Sequence, residues 1–508
     1  MIMSDNSINI LGINDGHNGS VALLKNGKLV YALSEERISR VKNDGDVPVK
    51  AIKRLLSDYK LRPNLIDYVA LCGIAPNRPE WSERDKILER YKLQFEGTPH
   101  LSTRVLKKIK SLFGDNQNSR VLEKDLAFIR QKKLIDIGFK LNQIFYLDHH
   151  ECHASAGYHT SNMKKDKVLI LTNDGGGDGL CATVSIGENG FIKRLAEIKQ
   201  ENSFATLYSR TTFLMGMVPL EHEYKIMGMA PYGDKKRARI IANKIIELFE
   251  WNDEKPLEWE KNKSLPATYL WGPILEKIFR FNRFDDISAA LQIVVEDMAL
   301  RWVRNCLNYT KTQKIILSGG LFMNVKLNKK ILELPEVKDV FIVPSCSDES
   351  NSIGAAYIGA INHGTKPQNL TPIKDIYLGP LYEDSEIDLA IKNYEFSMTV
   401  KINKIDNIEN EIAVLLSKGK IVARYFGREE FGARALGNRS ILSDPSRLEN
   451  IVQINKMIKQ RDFWMPFAAS MTEEQARINL ENKKNHFSPY MIISFDSKKD
   501  KLQTFRAA

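Results

Sequence analysis

Leu11-Gly12-Ile13-Asn14-Asp15-Gly16-His17-Asn18-Gly19-Ser20 and Leu171-Thr172-Asn173-Asp174-Gly175-Gly176-Gly177-Asp178-Gly179-Leu180 are the two stretches on which the fold turns. Each leads an apolar run into Asn-Asp-Gly and out into a second apolar run. The first copy reads Ile8–Ile13, the acidic-glycine loop, Ser20–Lys25, an Asn26-Gly27 turn and Lys28–Leu33. The second reads Lys167–Thr172, the loop, Leu180–Ile186, an Asn189-Gly190 turn and one more strand. Asn-Gly between apolar runs is a strong short hairpin signal. The expectation is therefore strand, loop, strand, hairpin, strand, written twice.

Two β-rich lobes with such loops are the arrangement of the actin/hexokinase-type ATPases, an α/β fold in which the loops face a cleft and hold nucleotide phosphates through backbone N–H groups. Helical apolar spacing over Val49–Lys60 and Ala290–Tyr309 supplies covering helices. The chain divides into a large domain at 1–363, with a charged helical insertion at about 80–142, a polar Pro-containing linker at 364–380, and a smaller α/β domain at 381–508. The last residues, Phe505-Arg506-Ala507-Ala508, carry no turn or cap signal, as a truncated chain would read.

Composition sets the class. Of 508 residues, 43% are hydrophobic and 27% charged, which excludes a disordered chain, a collagen-like fibre and a small disulfide scaffold. No apolar run reaches the length of a membrane helix. The first residues lack the basic stretch and apolar core of a secretory signal. Cys72, Cys152, Cys181, Cys306 and Cys346 are scattered, the pattern of buried free thiols in a reducing, cytoplasmic setting. The net charge of +11 fits anionic substrates or a nucleic acid. Between residues 101 and 140, ten basic residues stand against four acidic ones; they read as a solvated helical face or as a surface for an anionic partner.

Four motifs carry chemistry. In His149-His150-Glu151-Cys152-His153, His149 and His153 are four apart, on one face of a helix beginning there. With Asp174, and with Asp348 of Pro344-Ser345-Cys346-Ser347-Asp348-Glu349-Ser350, they form a donor set that suits iron, zinc or manganese. His150 reads as a residue behind the ligands or facing substrate. Gly175 and Gly176 let the backbone approach a polyphosphate. Ser318-Gly319-Gly320-Leu321-Phe322-Met323-Asn324 follows the strand Lys314–Leu317, where open α/β sheets bind ligands. Gly319, Gly320, Asn324 and Asn328 are its candidate nucleotide contacts. In Gly427–Ser440, after the strand Lys420–Phe426, Arg428, Arg434 and Arg439 alternate with glycines like an anion cradle, and Lys459 and Arg461 add cations. The stretch Glu221–Gly233 is not assigned by composition.

These motifs together resemble the O-carbamoyltransferases of nodulation, cephalosporin and aminoglycoside biosynthesis. The resemblance covers nearly the whole chain, through LGINDGHNGS, SEERISRVK, HHECHASAGYHTS, DGGGDG, EYKIMGMAPYG, SGGLFMNV, SDESNSIGAA, GREEFGARALGNRSIL and IKQRDFWMPFA. In that family the large domain is similar to the tRNA threonylcarbamoyl transferase and the small one to the synthase of threonylcarbamoyl-adenylate. The resemblance implies that ATP, with Mg, and carbamoyl phosphate give carbamoyl-adenylate, whose carbamoyl group passes to an acceptor hydroxyl. It implies a divalent metal, iron, on His149, His153, Asp174 and Asp348. It puts adenylate at Gly319, Gly320 and Asn324, and phosphates on Arg428, Arg434, Arg439, Lys459 and Arg461.

His17 is placed to orient or deprotonate the acceptor, a task that suits a near-neutral imidazole. Lys225 joins it as a catalytic candidate, with Glu36, Arg37, His150 and Glu223 behind. Ala433, Met465 and Ala469 depart from the family, which usually has Pro, Arg and Pro there. The acceptor is a sugar or natural-product hydroxyl, or a nucleic-acid hydroxyl such as 5-hydroxymethylcytosine. The competing readings are a regulatory ATP-binding module and tRNA threonylcarbamoylation. Partners are small molecules, DNA or RNA only as acceptor, and no membrane; a homodimer is compatible with the sequence.

Overall fold

Both Asn-Asp-Gly loops join the first two strands of a five-stranded sheet. The computed structural model describes residues 8–75, 84–95 and 116–507, with 116–124 by backbone alone. The first sheet comprises β1 (Asn9–Asn14), β2 (Ser20–Lys25), β3 (Lys28–Ser34), β4 (Tyr68–Cys72) and β5 (Ile144–Leu147) in the order β3-β2-β1-β4-β5. The second comprises β6 (Val168–Gly177), β7 (Leu180–Glu188), β8 (Phe191–Lys199) and, past a short hairpin of β9 (Phe249–Trp251) and β10 (Trp259–Lys261), β11 (Lys314–Ser318) and β12 (Asp339–Ile342). Its order is β8-β7-β6-β11-β12, the same as the first. In each, an antiparallel meander is followed by two parallel strands: Ile10 pairs with Leu24 and Gly12 with Ala70; Ile170 pairs with Ser185 and Ile316. This is an α/β plan in two sheets of one strand order, as the repeated loops lead one to expect. The second meander is the longer, β6 running on through the loop to Gly177.

The helices, in chain order, are α1 (Glu36–Ser39), α2 (Val49–Asp58), α3 (Arg84–Phe95), α4 (Asn116–Ile137), α5 (His149–Thr160), α6 (Thr206–Leu214), α7 (Glu223–Met229), α8 (Lys235–Ile246), α9 (Gly272–Phe279), α10 (Phe284–Thr310), α11 (Val325–Leu332) and α12 (Asn351–Asn362). Successive residues of a strand face opposite sides. On β1, Leu11 and Ile13 enter a core with Ile52 and Leu55 of α2 and Leu134 of α4. Gly12 points the other way, onto α12, where a Cβ would lie 1.9 Å from the Ser352 carbonyl oxygen. On the far side of α12, a Cβ on Gly354 would lie 1.8 Å from the Cys152 carbonyl oxygen, so α5 crosses at backbone contact. Gly157 of α5 in turn abuts Ile316 of the second sheet. The layers therefore run first sheet, α12, α5, second sheet. Helix α5 is buried at nearly every position despite its four histidines, so those imidazoles must find partners inside.

The chain forms two compact units: residues through Lys374 with Ile492–Ser494, and Asp375–Met491 with Phe495–Ala508. In the second, helices Asp384–Asn393 and Ile408–Ser417 accompany a two-stranded ladder, Val422–Tyr425 against Arg439–Leu442. No helix among the described residues is long and apolar enough to cross a membrane.

The expected insertion contributes α3 and α4; residues 80–83 and 96–115, with Arg104, Lys107, Lys108 and Lys110, lie outside the described residues. One of its cations turns inward, and another makes a partly exposed ion pair. Arg130, 4% exposed, donates to Asp15 and to the carbonyls of Cys72 and Gly73, and Lys133 pairs with Asp46. For Arg130, neither a solvated face nor a partner surface describes the structure.

Candidate metal and nucleotide site

Helix α5 begins where β5 ends, because Asp148 caps it by accepting from the Glu151 N–H at 2.7 Å. That start places His149 and His153 one turn apart, facing the second loop. His149 Nε2 lies 2.8 Å from Asp174 Oδ2, and His153 Nε2 lies 3.2 Å from the same oxygen. Asp348, on the turn before α12, brings Oδ1 within 3.8 Å of His149 and 3.5 Å of His153. One donor atom from each of the four residues lies within 4.8 Å of the others.

The glycines of the loop serve this packing. At Gly177 a Cβ would fall 2.2 Å from Cγ of the His149 ring. At Gly319, where φ is +103°, it would fall 2.4 Å from the Asn173 carbonyl oxygen, so the two loops of the second sheet touch backbone to backbone.

The charges are strongly coupled. Burial opposes a charge on His149, yet the Asp174 carboxylate overrides it and holds the imidazole well above its usual range. Burial likewise opposes ionisation of Asp174, and the His150 and His149 rings hold its pKa well below the ordinary carboxylate range. His150, hydrogen-bonded through Nδ1 to Thr172 Oγ1 at 2.9 Å, is pushed down to about 4 by burial. Its Nε2 is 3.7 Å from Asp174 Oδ1, and both atoms are buried without a hydrogen bond.

This donor set fits a divalent metal. Two imidazole nitrogens and two carboxylates converge, one carboxylate oxygen is orphaned, and such mixed N/O sets suit iron, zinc or manganese. Each ligand-candidate imidazole also has a support: Cys72 Sγ 3.8 Å from His149 Nδ1, and Ser318 Oγ 3.4 Å from His153 Nδ1. Outer partners of this kind fix ring orientation. Asn351 Nδ2 approaches His153 Nε2 at 3.2 Å. Asp178 accepts from the N–H groups of His149, Ile74 and Ala75, tying helix start to strand end. Cys72, Ser318 and Asn351 were not singled out from sequence. Ser318 and Asn351 lie inside recognised motifs, whereas nothing local marks Cys72.

The first loop reaches the same turn. Asn18 Nδ2 donates to Glu349 Oε2 at 3.2 Å and Ser20 Oγ to the Glu349 carbonyl at 2.8 Å. His17 lies beside Asp348 and Glu36; burial lowers its pKa while the Asp348 carboxylate works the other way. Glu36 accepts from the Asn43 N–H and pairs with Arg37 at 3.3 Å. Glu223 accepts from the Leu220 N–H at 2.6 Å and is raised by burial to about 7. Lys225 is half-buried on the same short helix.

Among the nucleotide candidates, Gly175 is exposed, and a Cβ on Gly320 would meet nothing closer than 3.8 Å. Gly176 is half-buried against Gln200. Asn324 caps α11 and is held in a double amide pair with Gln292, with its Nδ2 also donating to the Tyr208 hydroxyl. Asn328 is fully buried and donates to the carbonyls of Phe322 and Ile492, bracing the loop, while its Oδ1 is buried without a hydrogen bond.

In the second unit the five cations divide. Arg428 is spent on the carbonyls of Gly379 and Leu378, and Arg439 on Glu430 at 2.8 Å and Glu429 at 3.1 Å. These two build the loop from within. Arg434 is half-buried, Lys459 is exposed, and Arg461 lies over the Phe467 ring at 4.6 Å while donating to Asn455.

The family described as Carbamoyltransferase N-terminus matches residues 9–357, and Carbamoyltransferase C-terminus matches residues 413–508. The chain is 27% identical over 482 residues to nodulation protein NolNO of Sinorhizobium fredii, covering 94% of this chain and 65% of that protein. It is 32% identical over 332 residues to nodulation protein NolO of Bradyrhizobium diazoefficiens, covering 65% of this chain and 59% of that one. An uncharacterized protein of Methanocaldococcus jannaschii, MJ1051, is 28% identical over 504 residues, covering 97% and 84%. Solved structures with similarity include component A of Acidaminococcus fermentans (R)-2-hydroxyglutaryl-CoA dehydratase, at TM-score 0.37 and 12% identity over 70% of this chain and all of that one. Full-length HypF matches at TM-score 0.36 and 14% identity, over 71% and 56%. With both family regions present in order, the chain belongs to the carbamoyltransferase family.

Proposed function

We propose that this protein is an ATP-dependent O-carbamoyltransferase. The observation that carries the reading is the convergence of His149, His153, Asp174 and Asp348 beside a glycine loop in a chain of this family. Carbamoyl phosphate is hydrolysed to carbamate and phosphate, a carbamate oxygen attacks the α-phosphorus of ATP and pyrophosphate leaves, giving carbamoyl-adenylate; AMP is then the leaving group of the transfer. The acceptor hydroxyl forms a new C–O bond at the carbamoyl carbon, and the bond from that carbon to the AMP oxygen breaks. His17, at the turn shared by both loops, takes the hydroxyl proton. Lys225 offers positive charge to the departing phosphate. Gly175, Gly176, Gly319 and Gly320 admit the nucleotide close to backbone.

A metal held by the four convergent residues supplies Lewis acidity at a carbonyl or phosphoryl oxygen. The second unit is the adenylate-forming part, similar in role to threonylcarbamoyl-adenylate synthases, with Arg434, Lys459 and Arg461 as its phosphate contacts. The acceptor is a small hydroxylated molecule of sugar type. Arg130 supports that choice over a nucleic acid, since it is engaged inside the fold.

The test is mass spectrometry of reactions containing ATP, Mg and carbamoyl phosphate. Carbamoyl-adenylate, then AMP matched to a carbamoylated sugar-type acceptor, is the expected result. Carbamoylation of single-stranded DNA bearing 5-hydroxymethylcytosine, with none of the small acceptors modified, would overturn the acceptor. Neither adenylate nor AMP from folded, metal-loaded protein would overturn the chemistry.

A further inference from the structure

Helix α6 carries a buried cation that nothing above uses. Arg210 is 5% exposed, and its Nε has neither solvent contact nor a hydrogen bond. Its guanidinium lies over the Tyr91 ring at 4.0 Å, and no carboxylate pairs with it among the described residues. Arg90 adds a second positive charge near the same ring, and Ser209 lies beside the Tyr91 hydroxyl. An isolated buried charge is costly, and folds rarely keep one unless an ion of opposite sign is bound there during function. A stacked aromatic ring offsets only a small part of that cost.

The position gives the cation a use. The same helix holds the second loop: Ser203, just before it, donates to the Asp174 carbonyl at 3.0 Å, and Thr206 donates to the Gly175 carbonyl at 3.1 Å. Arg210 is one turn beyond Thr206 on the same face, about 6 Å along the axis. The planar guanidinium fork matches the oxygens of a phosphate bidentately, and ring stacking presets its plane.

We propose that Arg210, stacked on Tyr91, is a binding site for a phosphate group, set one helical turn from the loop of Asp174. The proposal stands on this geometry and does not need the transfer reaction. The phosphate belongs either to the nucleotide or to another substrate, and the two are separable.

The experiment is peptide-resolved hydrogen exchange on the full chain, with inorganic phosphate against chloride at equal ionic strength. Phosphate is expected to slow exchange in the peptides covering 84–95 and 206–214. R210Q is expected to need at least tenfold more phosphate for the same protection, R210K only a few times more, and Y91L to fall between. Removing an unpaired charge leaves R210Q folded, which a melting curve checks. If AMP alone protects both peptides and phosphate adds nothing, the group is the nucleotide's. If AMP leaves them unchanged while phosphate protects, it belongs to another substrate. Wild-type peptides indifferent to both ligands, or R210Q protected like wild type, would overturn the proposal. No turnover enters these readings, so loss of carbamoyl transfer would leave them unchanged.

Discussion

The two sheets of the first unit share one strand order, and their opening loops share Asn-Asp-Gly, yet the two aspartates live differently. Asp15 is buried against Arg130, which reaches it from the inserted helix α4. Burial lifts the Asp15 carboxyl above its usual range, and the arginine charge works against that rise. Asp174 sits among His149, His150 and His153. A repeated backbone thus carries one aspartate as a structural anchor and the other as a ligand candidate. The partners that decide this come from α4 and α5, elements lying outside the repeated strands.

The largest break in that comparison is at the second loop. H149A combined with H153A is expected to lower metal affinity by more than the roughly 10–100-fold that loss of an outer partner costs. Equilibrium dialysis with metal analysis checks it, and transfer activity should fall with metal content.

At the first loop, R130M strands a buried carboxylate and is expected to cost ~3–5 kcal/mol. The loss should shrink in acid, where the stranded Asp15 takes up a proton. Urea unfolding at two pH values reads both effects, and D15N/R130M should recover part of the loss. Next comes the helix crossing between the lobes. G354A drives a methyl into the Cys152 carbonyl and is expected to cost about 3 kcal/mol, the upper end for overpacking.

The smallest effect tests α5 away from the site. His159 is buried and its pKa is lowered by burial, then by Lys164, to about 3. A depressed imidazole adds stability above pH 6.5 that is lost as pH falls toward 3. Relative to H159Q, wild type should lose roughly 2 kcal/mol between pH 7.5 and pH 5. Parallel urea melts with equal loss in both proteins would refute this.

Much of the fold was legible because its signals are local. The paired Asn-Gly turns and Asn-Asp-Gly loops gave both meanders, and β2 spans the residues read for it, Ser20–Lys25. Boundaries slipped where tertiary packing extends an element: β6 runs on to Gly177, and the long helix begins at Phe284 rather than near Ala290. His149 and His153 were readable as a pair because helical spacing is local. Cys72 and Arg130 were invisible, since each meets its partner across many tens of residues. The arginines of Gly427–Ser440 show the converse: glycine spacing reads as a cradle, while Glu429 and Glu430, inside the same motif, already claim Arg439.

The most direct test of the contrast between the loops is metal content per chain, measured on wild type, D174N and D15N after identical loading and desalting. The account predicts about one metal in wild type and in folded D15N, and nearly none in D174N. Metal retained by D174N, or lost from folded D15N as fully as from D174N, would contradict it.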